Sequence, residues 1–353
     1  MLFRSICLPH DWLTLQLSGQ HVTDRSEASG TGYYSTAEAR YLGEVLALVD
    51  PDRDWAPALP RVLGSAEPVG LVTAAMAERL GLGPATVIGA GGGDQQAAAL
   101  GLAVRPGDVV YTIATSGVVF TVSPGPVFDA EGMVDGVADM ADGYLPLVST
   151  LNAARVTDWM AGLLGVDHVR LAEMALSADP AAVPAFTAFL DGERKPNRPD
   201  ATGVLAGLTA ATTREDLARA AHDGVLLALL RGERAMNAAG VATGGRVLIT
   251  GGGARSPAYR QILADLAGRP VAAAGVDEAT ARGAAVQAAA VAAGTSVEAV
   301  QTAWAPQARV VAEPRPGSER LRAALGRRYS AVADWAGFDG QAHSTPPGRE
   351  VSG

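Results

Sequence analysis

Cysteine occurs once in this chain of 353 residues, at Cys7, which excludes an internal disulfide and a cysteine-built metal site. Lysine also occurs once, at Lys195, and arginine carries every other fixed positive charge, as a GC-rich coding bias would produce. Gly-x-x-x-x-Gly-Lys-[Ser/Thr] is absent, so a P-loop enzyme is excluded. Positive charge is in deficit: 28 Lys plus Arg against 37 Asp plus Glu leave a net charge of −9. That balance argues against a nucleic-acid or acidic-membrane surface, which would need a basic stripe. No apolar run reaches the roughly 18 residues of a membrane helix. The apolar stretch around Arg4 and Ser5 is too short for a signal-peptide core, so a cytoplasmic protein is expected. The histidines (His10, His21, His168, His222, His343) are scattered, with no His-Glu-x-x-His spacing. What is present is ordinary globular composition, 48% hydrophobic and 18% charged, in a chain long enough for two domains.

The most informative feature is a pair of glycine turns. Residues 86–90 read as a strand that runs into Gly91-Gly92-Gly93 and then a single carboxylate, Asp94. Residues 246–250 read as a second strand with the same ending, Gly251-Gly252-Gly253, followed by Ala254-Arg255-Ser256-Pro257. Glycine lets a backbone approach a ligand closely, and the helix after each turn points free N–H groups at it. Asp94 suits two roles, a helix cap or a general base on a hydroxyl. Neither turn completes Gly-x-Gly-x-x-Gly, since Asp94 and Ser256 stand in the third place, so a dinucleotide-binding reading is weak. The pair suggests a two-sided cleft, with chemistry at one wall and nucleotide at the other.

Helices are expected over 36–49, 73–82, 94–104, 152–164, 213–239, 256–267, 278–293 and 317–335, from apolar spacing and end signals. Strands are expected over 108–114, 118–123, 144–150 and 271–274, with 179–207 loop-like and 339–353 a disordered tail. The order is that of a mixed α/β layer fold. Thr115-Ser116-Gly117 falls between two strands, as a plain turn or a phosphate-binding hairpin. Glu193, Arg194 and Lys195 read as a solvated loop.

Taken in order, several segments resemble the FGGY family of carbohydrate kinases, and within it the xylulokinase branch. They are Leu8-Pro9-His10-Asp11-Trp12-Leu13 with Leu17-Ser18-Gly19, Thr23 to Thr31, Gly91-Gly92-Gly93-Asp94 and Ala114-Thr115-Ser116-Gly117-Val118. Leu190 to Pro196, Gly251 to Ser256 and Glu278 to Ala285 complete the set. The resemblance implies an α/β, actin-like (ribonuclease-H-like) two-domain fold, with ATP and sugar between the domains. It divides the chain at 1–104 and 105–338. It makes Asp94 the base on the sugar hydroxyl and places Thr115, Ser116 and Gly117 at a phosphate loop. Gly251, Gly252, Gly253 and Arg255 fall at the adenosine motif. Mg2+-ATP would be the donor and a ketose the acceptor, D-xylulose first, with another sugar or polyol as the alternative. A small sugar is the implied partner, and a homodimer stays open. Gln95-Gln96 departs from the Asn-Ala common in the family and resembles the glycerol kinase branch. The family's opening Asp-x-Gly-Thr phosphate loop is missing, so the first domain is expected to be incomplete and its metal-placing residues are unassigned. A mis-assigned start at Met1 is the expected explanation. The other is a catalytically inactive nucleotide-binding module.

Overall fold

In the computed structural model, which describes residues 5–335, a seven-stranded mixed sheet organises most of the chain. Its order is Ala308–Ala312, Val271–Ala274, Val247–Thr250, Val109–Ile113, Gly117–Phe120, Tyr144–Thr150, Asp135–Ala138. Val271–Ala274, Val247–Thr250 and Val109–Ile113 run parallel, and the outer pairings are antiparallel. Val109, Val110, Tyr111 and Ile113 are fully buried, as expected of a strand covered on both faces. The long helix Arg214–Ala238 starts with a capping box, Thr213 and Asp216 exchanging hydrogen bonds. Its Gly232 lies so close to the sheet that a Cβ would stand 2.8 Å from both Val119 and Val148.

The first hundred residues are less consolidated. Val22–Asp24 pairs with Arg61–Leu63, and Val87–Gly89 pairs with Pro68–Leu71, each as a two-stranded piece. The strand leading to Asp94 thus has one neighbour among the described residues, and Leu71 and Val87 are exposed. This matches the expectation of a sheet lacking strands.

Several expectations need correction. The helix placed at 36–49 is confined to Gly43–Val49. Ahead of it Tyr34–Ser35 and Arg40–Tyr41 form a hairpin, in which the Tyr34 and Tyr41 rings meet edge-on at 5.4 Å, outweighing helix propensity. The supposed loop 179–207 contains a strand pair, Ala185–Thr187 with Val204–Ala206. Glu193 is not solvated: it is buried, and its carboxylate accepts from the Leu151 N–H (2.6 Å) and Asn152 Nδ2 (3.0 Å). Helices Pro9–Ser18 and Val297–Ala303 and the strand Asp135–Ala138 were not expected, nor was His168–Ser177, although its Leu171, Ala172, Met174 and Ala175 recur at helical spacing on a buried face. The tail 339–353 lies outside the described residues.

Helix Asp94–Gly101 crosses helix Ala279–Ala293 at backbone contact. A Cβ on Gly101 would collide with the Ala279 carbonyl, and one on Gly283 with the Ala97 carbonyl. Neither glycine has a positive φ, so close approach is the reason for both. Gly283→Ala should therefore destabilise the protein by roughly 1–3 kcal/mol through overpacking. Urea unfolding would measure this; an unchanged midpoint would disprove the contact.

Candidate active site

The turn before Asp94 is held from two sides. Gly91, at φ +83°, donates its N–H to Gln287 Oε1 (2.9 Å) and accepts from Gln287 Nε2 (3.0 Å). Gln287 is buried on helix Ala279–Ala293, so the later part of the chain reads the backbone of the earlier turn. On the other side the Gly93 N–H donates to Ser26 Oγ at 3.0 Å, and that hydroxyl donates to Asp24 Oδ1. Asp24 Oδ2 lies 3.0 Å from His10 Nε2, and His10 Nδ1 lies 3.1 Å from Asp11 Oδ1. Burial alone would lower the His10 pKa. The contact with Asp24 and the charges of Asp24, Asp11 and Glu27 outweigh it and raise the pKa above the ordinary imidazole value. The ring also packs on the turn, since a Cβ on Gly91 would stand 3.0 Å from His10 Cδ2.

Gly93 occupies the cap position and Asp94 is the first helical residue, so Asp94 is not the cap. Its Oδ1 accepts from the Gln95 N–H at 2.7 Å, and the residue is exposed. It lines a cleft of about 1000 Å³ together with Glu27, Gln95, Gln96, Asp129 and Asp135. Glu27 sits over the turn, its Oε1 2.8 Å from where a Gly93 Cβ would be. Burial is the main cause that raises the Glu27 pKa; the nearby His10 lowers it, while Asp24, Asp11 and Asp94 add to the rise. Among the described residues no donor reaches the Glu27 carboxylate.

The second set of expected residues gathers elsewhere. Val247–Thr250 and Val109–Ile113 are adjacent and parallel, so their C-terminal ends place Gly251-Gly252-Gly253 beside Thr115-Ser116-Gly117. Ligands of α/β sheets bind at such strand ends. The hairpin tip is anchored by its carbonyls, which accept from Ala153 (3.2 Å, to Thr115) and Ala154 (2.8 Å, to Ala114). Packing accounts for three of the glycines. A Cβ on Gly251, at φ +83°, would meet the Ile113 carbonyl at 2.6 Å, one on Gly253 would strike the Ile113 side chain, and one on Gly117 would meet Thr150 Oγ1 at 2.8 Å. Gly252 differs, because nothing lies within 4 Å of its Cβ position. It opens onto a pocket of about 490 Å³ lined by Gly253, Arg255, Thr157, Leu171, His222 and Tyr259. Neither the hairpin nor the second glycine turn lines the cleft at Asp94, so the structure unites 115–117 with 251–255 and sets Asp94 apart.

His10, Asp24, Ser26, Glu27 and Gln287 were not singled out as site residues from sequence. Gln287 carried a usable signal, being the one polar side chain in the run from Ala284 to Ala293. The others depend on chain segments brought together only by folding.

Residues 109–292 match the C-terminal domain of the FGGY family of carbohydrate kinases, and residues 3–101 match its N-terminal domain. The chain belongs to that family. It is similar to the xylulose kinase of Streptomyces coelicolor, at 38% identity over 334 residues, covering 94% of this chain and 66% of that protein. The xylulose kinase of Escherichia coli is 37% identical over 276 residues, covering 76% of this chain and 56% of its own length. Among solved structures, the xylulose kinase from Bifidobacterium adolescentis matches with a TM-score of 0.79 at 34% identity, covering 94% of this chain and 68% of that one. That from Rhodospirillum rubrum matches with a TM-score of 0.82 at 25% identity, with the same coverage of 94% and 68%. The chain thus spans just under two thirds, 66%, of the first of these curated relatives. Its α/β architecture is the actin-like two-domain fold of these sugar kinases. Among the described residues no helix is long and apolar enough to cross a membrane.

His222 forms part of the floor of the smaller pocket, its ring 4.6 Å from that of Tyr259 and its Nδ1 2.8 Å from the Ala218 carbonyl. Burial pushes its pKa down to about 4. The unfolded chain, with a pKa near 6.5, binds the proton more readily, so stability is whole above that pH and is lost as pH falls toward 4. The loss attributable to this group approaches roughly 3 kcal/mol. Denaturant midpoints at several pH values should show a shallower acid slope in His222→Gln than in the native chain; parallel slopes would disprove the assignment.

Proposed function

We propose that the chain carries the acceptor and nucleotide sites of an ATP-dependent sugar kinase, with D-xylulose as the acceptor. The observation that carries this is the turn at 91–94, in which two independent networks fix one exposed carboxylate at the mouth of a cleft. Asp94 takes the proton from the attacking hydroxyl, while Glu27 accepts a hydrogen bond from a second hydroxyl of the sugar. The Glu27 carboxylate, half-buried and without a protein donor, suits that role. Gly252 and the pocket beside it are open where an adenosine would lie, and Thr115 and Ser116 stand exposed beside Gly251 for the phosphates. Arg255 borders the same pocket. Catalysis in such a site rests on positioning and charge stabilisation. Because the Asp94 cleft and the nucleotide pocket are separate here, closure of one part on the other would bring donor and acceptor together.

Among the described residues no group of three or more His, Cys, Asp or Glu side chains is arranged to hold a metal ion. Magnesium therefore enters this reading only with the nucleotide's phosphates, and no residue is assigned to it. We place the division between the two halves at 104/105, in keeping with family matches that end at 101 and resume at 109.

The assignment of xylulose rests on the similarity to xylulose kinases; Gln95 leaves a polyol acceptor as the competing choice. A second reading, nucleotide binding without turnover, draws on the separation of the Asp94 cleft from the pocket at Gly252. ADP release with D-xylulose or glycerol, measured beside ATP binding, separates the three outcomes. Binding with no sugar-dependent release would establish the inactive module.

Asp94→Asn should lower kcat by a factor on the order of 10²–10⁴ and leave ATP affinity unchanged. Loss of ATP binding in that variant would reassign the residue. Glu27→Gln should act mainly on sugar KM, raising it about tenfold, as expected for one hydrogen bond to a charged group. An unchanged KM would remove Glu27 from the acceptor site.

A further inference from the structure

Away from both of these sites, a groove of about 890 Å³ runs between the C-terminal part of helix Arg214–Ala238, the end of helix Pro257–Ala267 and helix Ser318–Ala333. Four arginines line it, Arg234, Arg269, Arg322 and Arg327, against two acids, Glu233 and Glu319, in a chain whose net charge is −9. Arg269 is committed to the wall: its Nη2 lies 2.5 Å from Glu233 Oε1, and its Nη1 donates to the Thr243 carbonyl. Glu233 is fixed in turn by the hydroxyl of buried Tyr111. Arg234, Arg322 and Arg327 form no ion pair among the described residues, Glu319 included.

Two glycines make room for these guanidinium groups. The Arg322 guanidinium lies on Gly268, where any Cβ would collide with it, and Arg234 Nη2 stands 3.3 Å from the Cβ position of Gly326. Gly326 is inside a helix, where glycine costs about 1 kcal/mol relative to alanine, so helix stability does not account for it. The seat it provides for Arg234 does.

We propose that this groove is a second anion site, taking a compact molecule with two or more phosphate groups. Three guanidinium groups without carboxylate partners line one cavity, and a polyanion would supply their counter-charges. Each guanidinium can hold a phosphate through paired N–H donors. Ser330 on the lining adds a neutral donor. The volume lies within the range of pockets that enclose small ligands, roughly 300–1,000 Å³. None of Asp94, Thr115 to Gly117 or Gly251 to Arg255 lines the groove, so it stands apart from the proposed kinase reaction.

Inorganic pyrophosphate is the probe, titrated calorimetrically into the full chain and into Arg234→Gln, Arg322→Gln and the pair Arg234→Gln with Arg327→Gln. Saturable binding is expected, weakened about tenfold or more in the paired variant and weakened further by salt. Hydrogen exchange should show pyrophosphate protecting 318–330 in the native chain and not in the paired variant. ATP binding should be the same in both. Three results would overturn the proposal: no saturable binding, an affinity that the paired substitution does not change, or protection confined to 114–117 and 251–257. Arg322→Gln risks misfolding because Arg322 covers Gly268. Arg234 and Arg327 are exposed, and their paired variant carries the test by itself.

Discussion

Everything at Asp94 depends on how closely helix Asp94–Gly101 approaches helix Ala279–Ala293. Carbonyl groups of each helix occupy the space a Cβ of the other would need, at Gly101 and at Gly283. The approach brings Gln287 within reach of Gly91, where its amide satisfies one backbone donor and one acceptor of a non-repeating turn. A turn cut off from water needs such partners, because buried backbone groups without them are costly. Separated helices would leave Gln287 and Gly91 without each other, and Asp94 would lose its fixed position. The Thr280 hydroxyl reaches the Asp94 carbonyl at 3.3 Å, so the same helix touches the site twice.

Glycine does different work at the two turns. Gly91 and Gly251 adopt positive φ, which l-amino acids with a Cβ avoid. Gly92, Gly93 and Gly253 are crowded by Met140, Gln96 and Ile113, so their lack of a side chain is a packing requirement. Gly252 alone in these six positions faces open space at a negative φ. Nothing among the described residues excludes a side chain there, so the proposed approach of a nucleotide is what would account for the glycine. A glycine triplet in a sequence does not reveal which member has that freedom; the neighbours must be known.

The second half of the chain was more legible than the first. Arg214–Ala238, Pro257–Ala267 and Val271–Ala274 have strong periodicity or clear ends, such as Thr213, Pro257 and Gly268, and their bounds lie within a residue or two of expectation. In the first half, short strands joined by longer excursions give patterns too brief to read, and paired tyrosines at 34 and 41 override a helical spacing. Asp94 and the two glycine turns could be found in the sequence because strand, glycines and helix are contiguous there. The His10–Asp24–Ser26–Gly93 network could not, since it joins three segments up to 83 positions apart and its residues are individually unremarkable in type. Glu193 was misread for a related reason: its partners Leu151 and Asn152 lie some forty positions away, and charge alone suggests solvent.

The charges around the turn explain why a histidine stands behind it. Asp24 adds to the rise in pKa of both Asp11 and Glu27, and Asp94 adds to it at Glu27. Burial is the main cause of the raised pKa at both Asp11 and Glu27, and neighbouring negative charge adds to it. His10 faces that negative charge, touching Asp11 with one nitrogen and Asp24 with the other, and its own pKa is raised by it. The acidic group nearest the cleft, Glu27, keeps a raised pKa even so, because burial dominates it. In the proposed acceptor site, a carboxylate so placed would bind a hydroxyl through a bond that replaces fewer contacts with water. The cluster that steadies the backbone before Asp94 is therefore also the charged setting in which the proposed base stands.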